Sequence, residues 1–138
     1  MFNQDLKLVQ CFGSHGTDPG QFNWPDNIDF DAIGYLYVTD LRNHRVQCLS
    51  ADGAPIWCIG QEGSRPGDFR RPNILKVFDS RIFVTDYNGV SVFTTGGQFI
   101  LRFATMCCAV DHNLDGLAID DDGFVYVSDC SHDRIVVF

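Results

Sequence analysis

Short runs in which apolar and polar residues alternate recur along the chain, and one of them returns almost letter for letter. Residues 35–40 read Tyr-Leu-Tyr-Val-Thr-Asp, residues 81–86 Arg-Ile-Phe-Val-Thr-Asp, and residues 124–129 Phe-Val-Tyr-Val-Ser-Asp. β-Branched and aromatic residues suit a pleated, half-buried surface, and a small hydroxyl residue followed by aspartate suits a turn. Each run therefore predicts a short buried strand that ends in a loop. Alignment on Asp40, Asp86 and Asp129 sets the copies 46 and 43 residues apart, and other patterns then fall into register. A strand and turn precede each copy, at 27–34, 73–80 and 116–123, and a third strand follows at 44–53, 89–97 and 133–138. A fourth, at 55–60 and 98–103, leads into a Gly-rich connection.

Four short strands per unit, repeated at about 40–50 residues, is the arithmetic of a propeller blade. The expected fold is all-β, a β-propeller segment of three four-stranded antiparallel blades. The repeats span 14–60, 61–104 and 105–138, the last completed by a strand at 6–12. First strands would line the central channel. Inter-blade connections and second-to-third-strand loops would then open on one face.

Residues 16–53, GTDPGQFNWPDNIDFDAIGYLYVTDLRNHRVQCLSADG, resemble an NHL repeat. This is the family of six-bladed propellers named for an Asn-His-Leu signature and known from the C-terminal domain of TRIM-NHL proteins. The resemblance is carried by Gly20 to Pro25, the turn Asp31 to Gly34, Val38 to Asp40, and Asn43 to Val46. The second unit keeps the Gly-rich connection at 63–72 and Val-Thr-Asp, but has Tyr-Asn-Gly-Val at 87–90; the third reads ATMCCAVDHNLD at 104–115. The resemblance implies a non-enzymatic interaction module whose loop face binds a protein or peptide. In a TRIM-type ubiquitin ligase it would be the part that selects the partner, since the chain has no RING or B-box pattern of cysteine and histidine. The resemblance implies two alternatives. Some members bind RNA through a basic face, and some NHL-like propellers are metal-dependent lyases with histidines converging on the channel.

Composition bears on that choice. Hydrophobic residues make up 45% of the chain, with no apolar run near the ~18 residues of a membrane span and no signal-like start, so the expected location is cytoplasmic. Net charge is −8, from 18 acidic and 10 basic residues, which opposes binding to a polyanion. Locally, Arg65, Arg70 and Arg71 share one loop, and Arg42, Arg45 and Arg134 fall in loops on the same side. Against them stand Asp18, Asp26, Glu62, Asp68, Asp111 and Asp115. Cys48, Cys58 and Cys130 read as small buried hydrophobes in or beside strands rather than a disulfide framework. The pair Cys107 and Cys108 beside His112 lacks any C-x-x-C spacing, and no metal or other cofactor is expected.

On the loop face, residues 14–26, 61–72, 105–115, 40–44, 86–88 and 129–132, the exposed binding candidates are His15, Trp24, Arg42, Arg70, Arg71, Tyr87 and His132. Rigid loops carry recognition, and aromatic and arginine side chains dominate hot spots. Asp40, Asp86 and Asp129 are expected to be structural, accepting loop N–H groups. His44 and His132 are read as repeat-equivalent. Residues 111–122 fit a calcium-loop template, but the repeat register makes 116–120 an inner strand and 121–123 a turn. Nucleophile elbows and phosphate loops are absent.

Three blades fall short of the about 4–8 that close a ring. With 6–12 reading as a fourth strand and the third unit supplying strands one to three, the expectation is a homodimer completing a six-bladed ring, or half of a longer chain.

Overall fold

The computed structural model describes residues 8–103 and 114–138. Eleven strands occur among them, in three antiparallel sheets. The first sheet joins β1 (Pro25–Phe30), β2 (Leu36–Asp40), β3 (Arg45–Leu49) and β4 (Pro55–Ile59) in chain order. The second joins β5 (Leu75–Phe78), β6 (Arg81–Asp86), β7 (Gly89–Thr94) and β8 (Phe99–Phe103) in the same way. The third holds β9 (Leu114–Ile119), β10 (Val125–Asp129) and β11 (Arg134–Val137). The chain is thus a run of propeller blades, and the repeated Val-Thr/Ser-Asp runs are the second strand of each. The expected third-blade inner strand is present and begins two residues earlier, at Leu114. Residues 8–12, the described part of the expected strand at 6–12, carry no strand pairing within this chain. No helix among the described residues is long and apolar enough to cross a membrane.

The hairpin between β1 and β2 turns on one carboxylate. Asp31 Oδ1 accepts the N–H groups of Ile33 and Tyr35 at 3.1 and 2.9 Å, and Oδ2 accepts the Tyr37 hydroxyl at 2.8 Å. Gly34 completes the turn at φ 94°, in the left-handed region that favours glycine. Burial, then the bond to Asp31, push the Tyr37 phenol far above its ordinary value, so it remains the donor. Asp120 and Tyr126 repeat the device in the third blade, at 2.9 Å to Phe124 N and 2.8 Å to the hydroxyl. Asp115 and Gly116 lie in β9, so residues 114–122 form strand and hairpin rather than a calcium loop; Asp111 to Asn113 lie outside the described residues.

Blades stack through apolar faces. Between the first and second, Tyr37, Val46 and Cys48 meet Phe69, Leu75, Ile82, Val84 and Phe93, all at most 1% exposed, with Trp57, Ile59 and Phe99 closing the edge. Between the second and third, Phe83, Val90 and Val92 meet Leu114, Leu117, Val125 and Val127. Interdigitated rings tighten the first interface, with Phe69 and Phe93 centroids 5.4 Å apart. The first strands lie side by side, β1 against β5 and β5 against β9. Polar bonds stitch this inner seam: Leu75 N–H donates to Asn27 Oδ1 at 3.1 Å, Val77 N–H to Asp29 Oδ2 at 2.9 Å, and Thr39 Oγ1 to the Asn73 carbonyl at 2.8 Å. The inner strands are therefore fixed to one another, and the loops at their mouths inherit that rigidity.

Candidate functional site

At one end of the blades, each second strand delivers its terminal carboxylate to the point where the incoming linker joins the blade. Asp40, fully buried, accepts Asn23 N–H, Asn43 Nδ2 and Arg45 Nε, each at 2.8 Å, and Gln47 Nε2 at 3.2 Å. The rest of the Arg45 guanidinium donates to the carbonyls of Thr17, Asp18 and Gln21 at 2.6, 3.1 and 2.8 Å. One aspartate and one arginine thus clamp the whole linker. Asp86 accepts Arg70 N–H at 2.7 Å, Asn88 N–H at 3.0 Å and Asn88 Nδ2 at 2.9 Å. Asn88 also donates to the Gly63 carbonyl at 3.0 Å, as Asn43 does to Gly16 at 2.9 Å.

The second blade, after a shorter loop, has Gly89 where Arg45 stands. Arg102, on β8, takes over: Nε donates to Ser91 Oγ at 2.8 Å, Nη1 to the Ser64 carbonyl at 3.1 Å, and Nη2 to the Asp68 carbonyl. In the third blade Asp129 holds His132 Nδ1 and Arg134 Nε, each at 3.0 Å. This corrects the expected match of His44 with His132. Counted from the aspartate, and confirmed by the pairings Asp40–Arg45 and Asp129–Arg134, His132 replaces Asn43 and Asp133 replaces His44. His44 and Asp133 share a left-handed backbone, φ 54° and 51°. His44 Nδ1 instead accepts Arg71 N–H at 3.1 Å, tying the first blade's loop to the second linker.

The equivalent carboxylates differ in electrostatics. Burial raises Asp86 above the ordinary carboxylate value, and its bonds from Arg70 N–H and Asn88 offset only part of this. Burial also acts to raise Asp129, but His132 and Arg134 outweigh it and hold the carboxyl below the ordinary value. Asp129 has a guanidinium in direct contact, whereas Asp86 is held by backbone and amide donors with Arg102 acting only from a distance, so burial prevails at Asp86.

Trp24 and Arg71 each precede a proline and each adopt a left-handed backbone, φ 64° and 57°. Such strain costs about 1–3 kcal/mol per residue and persists where surroundings fix it. Here Leu41 N–H bonds the Trp24 carbonyl at 3.2 Å and Tyr87 N–H bonds that of Arg70 at 3.1 Å. The effect is to turn both side chains toward the short loops. Arg42 lies over the Trp24 indole at 4.5 Å, and Arg71 over the Tyr87 ring at 5.7 Å. Beside them opens a groove of about 290 Å3, lined by Asp26, Leu41, Arg71, Asn73, Tyr87 and Asp115. Strand pairing makes Asp26, Asn73 and Asp115 repeat-equivalent, each entering its blade's first strand. The groove therefore runs across the channel mouth of all three blades. Asn73 Nδ2 donates to Asp115 Oδ1 at 3.1 Å across the second blade boundary.

The structure thus brings Arg71 and Tyr87 together in the groove, with Trp24 and Arg42 paired next to Leu41. Arg70 is exposed on the linker. His15 is exposed further along the first linker, bridged to Phe22, and His132 is half-buried on Asp129; neither lines the groove. Arg45 is a correction, since its charge is spent inside the blade, while Arg65 is paired with Asp68 at 3.0 Å. Asn73 was not anticipated as a site residue. Its signal was the position after the linker proline, shared with Asp26. Cys48 is buried, but Cys58 and Cys130 are exposed: Cys58 alternates with the inward Trp57 and Ile59 on an edge strand, and Cys130 follows the strand-ending aspartate. Cys107, Cys108 and His112 lie outside the described residues. Among the described residues no three His, Cys, Asp or Glu side chains gather as a metal site.

Residues 113–138 match the NHL repeat family model. The chain is 26% identical over 137 residues to protein brain tumor of Drosophila melanogaster, covering 95% of this chain and 13% of that protein. It is 35% identical over 66 residues to NHL repeat-containing protein 3 of Mus musculus, 44% of this chain and 19% of that one. The chain therefore spans less than a fifth of either relative. Among solved structures, a streptogramin B lyase superposes with a TM-score of 0.68 at 17% identity, over 92% of this chain and 42% of the lyase, a likeness of fold.

Proposed function

We propose that this chain, whose residues 113–138 match the NHL repeat family model, is a non-enzymatic interaction module whose loop face binds a protein or peptide. The observation that carries this reading is the groove at the channel mouth, where Arg71 stacks on Tyr87 within a rim that includes Asp26 and Asp115. Aromatic and arginine side chains held on a rigid frame lose little entropy on binding, which is how hot spots work. Asp26 on this rim offers an acceptor to peptide N–H groups and cationic side chains, and the carboxylates of the rim repel phosphate. Of the arginines assigned to this face, Arg45 is consumed by a linker clamp, Arg65 is paired with Asp68 and Arg134 with Asp129, while Arg42 and Arg71 lie over the Trp24 and Tyr87 rings. With a net charge of −8, that favours protein over RNA. Partner selection for a TRIM-type ubiquitin ligase fits this role. The free thiols of Cys11, Cys48, Cys58 and Cys130 fit a reducing, cytoplasmic setting.

Panning a random peptide display library against the immobilised chain tests the reading. Peptides enriched on the wild type and lost on Tyr87→Ala are expected. No enrichment over a blank surface, with tight binding of a random single-stranded RNA pool that weakens steeply with salt, would favour the RNA reading instead.

A further inference from the structure

The linker at 61–72, which brings Arg71 to the groove, is touched at both ends by one residue of the preceding blade. Where the chain leaves β4, the His44 carbonyl packs so closely on Gly60 that a Cβ there would lie 3.0 Å from it. Where the linker approaches β5, His44 Nδ1 accepts the Arg71 N–H at 3.1 Å. A ring nitrogen that accepts carries no proton, so this imidazole is neutral with its proton on Nε2. His44 is itself fixed at φ 54° as the C-cap of the short turn Leu41–Asn43, its N–H reaching the Leu41 carbonyl at 3.4 Å.

Arg71 needs such a hold. It is left-handed at φ 57° and precedes Pro72, whereas a residue before proline is confined largely to extended conformations. In the first blade, where Trp24 is in the same position, the short loop makes two backbone bonds to the end of the linker: Leu41 N–H to the Trp24 carbonyl at 3.2 Å and Arg42 N–H to that of Asn23 at 3.1 Å. The loop of the second blade, which passes from Asp86 to Gly89 where the first passes from Asp40 to Arg45, makes one, Tyr87 N–H to the Arg70 carbonyl at 3.1 Å. His44 supplies the second hold from across the blade boundary. Arg71 so held lays its guanidinium over Tyr87 at 5.7 Å, and the two line the groove together.

The ionisable groups around the ring are mostly cationic. On its own loop Arg42 lies over Trp24 and Arg45 is spent on Asp40; the linker brings Arg71, and the loop between β6 and β7 brings Tyr87 beyond it. Of the described histidines, His132 is the one that pairs with a carboxylate. An imidazolium at His44 would therefore gain no counter-charge, and its Nδ1–H would point at the Arg71 N–H, donor against donor. Resting on the reading of the loop face given above, we propose that His44 is the positioning residue of that face: its neutral imidazole fixes Arg71 against Tyr87, and protonation releases both. The groove then binds its peptide in neutral solution and weakens as pH falls through the range in which imidazoles charge, about pH 8 to 5.

Nuclear magnetic resonance on the isotope-labelled 138-residue chain tests this without a ligand. Ring-nitrogen correlations should show His44 bare at Nδ1 near neutral pH, and the Arg71 and Tyr87 amide signals should move with the same midpoint as the His44 ring. His44→Gln, whose amide oxygen accepts whatever the pH, should abolish that movement, while His132→Asn should leave it intact. A proton on Nδ1 near neutral pH, or amides that ignore the His44 titration, overturns the proposal on the wild type alone; movement that persists in His44→Gln overturns it as well. Binding is read separately, by fluorescence anisotropy of a labelled peptide taken from the panning described above. Its affinity should fall about 2- to 10-fold across the same pH range, the effect of one lost hydrogen bond, and stay level on His44→Gln. Equal affinity at both ends of the range on the wild type overturns the positioning role. Panning that yields no peptide counts against the binding function, and the spectra still decide the role of His44.

Discussion

Replacing Asp40 by alanine removes the acceptor of four hydrogen bonds at once. The carboxylate is buried, and its donors are Asn23 N–H, Asn43, Arg45 and Gln47 at 2.8–3.2 Å. Arg45 would keep its three linker carbonyls but lose its counter-charge, while its side chain is only 11% exposed and water reaches it poorly. Removing one partner of a buried, hydrogen-bonded ion pair costs about 3–5 kcal/mol, because the remaining charge and donors are left unmatched. Against a whole-domain stability of about 5–15 kcal/mol this is a large share. At about 3–5 °C per kcal/mol for a chain of this size, Tm should fall by roughly 10–20 °C. Thermal melts followed by circular dichroism at neutral pH measure it, with Asp40→Asn as a control that keeps the shape and one acceptor oxygen and so loses less. A melting curve within 2 °C of wild type, with ligand binding lost, would refute the assignment of Asp40 to the frame and move it to the binding surface.

Arg102→Ala should destabilise the second blade by about 1.5–3 kcal/mol through three lost bonds from a charged donor, read as a lower urea midpoint with an unchanged slope; an unchanged midpoint contradicts its role as stand-in for Arg45. Acid should separate the other two aspartates. Asp129 sits below its unfolded value, so its contribution is present above the ordinary carboxylate range and lost as pH falls through and below it. Asp86 sits above its unfolded value, so its ionisation costs stability that is recovered as pH falls toward that raised value. Melts of Asp129→Asn and Asp86→Asn from pH 7 to 3 should flatten the acid loss in the first case and the acid gain in the second; identical profiles would show that neither carboxylate is shifted as described. Gly60→Ala should destabilise strongly, since an added Cβ would run into the Phe69 ring with the backbone at φ 94°; normal stability by melt would show that the linker can shift.

The blades were legible because their signals are local and repeated: Asp40, Asp86 and Asp129 end strands of the same pattern, and Asp31 and Asp120 turn hairpins of the same composition. The clamps were legible only where the motif is contiguous. Arg45 lies five residues from Asp40 and could be seen, although its loop position suggested an exposed charge rather than one folded back on linker carbonyls. Arg102 lies sixteen residues after Asp86 on a different strand, and no spacing rule joins them, since sheet registry brings them together. His44 and His132 share a residue type but not a position, because the backbone of each loop counts from its aspartate. Trp24, Arg71 and Tyr87 were visible as large side chains beside linkers and strand ends. Their stacking on one another depends on the left-handed backbone before each proline, which composition does not announce. Asp26, Asn73 and Asp115 share a face because three inner strands converge, a property of the packed blades rather than of any one stretch of sequence.

Affinity capture from cell lysate, with and without RNase, using the wild-type chain beside Tyr87→Ala and the double reversal Arg70→Glu and Arg71→Glu, tests the central claim most directly. The account predicts proteins that survive RNase, are lost with Tyr87→Ala, and are recovered as the same set in replicate captures. Enrichment of particular RNAs instead, abolished by the arginine reversals and indifferent to Tyr87→Ala, would contradict it.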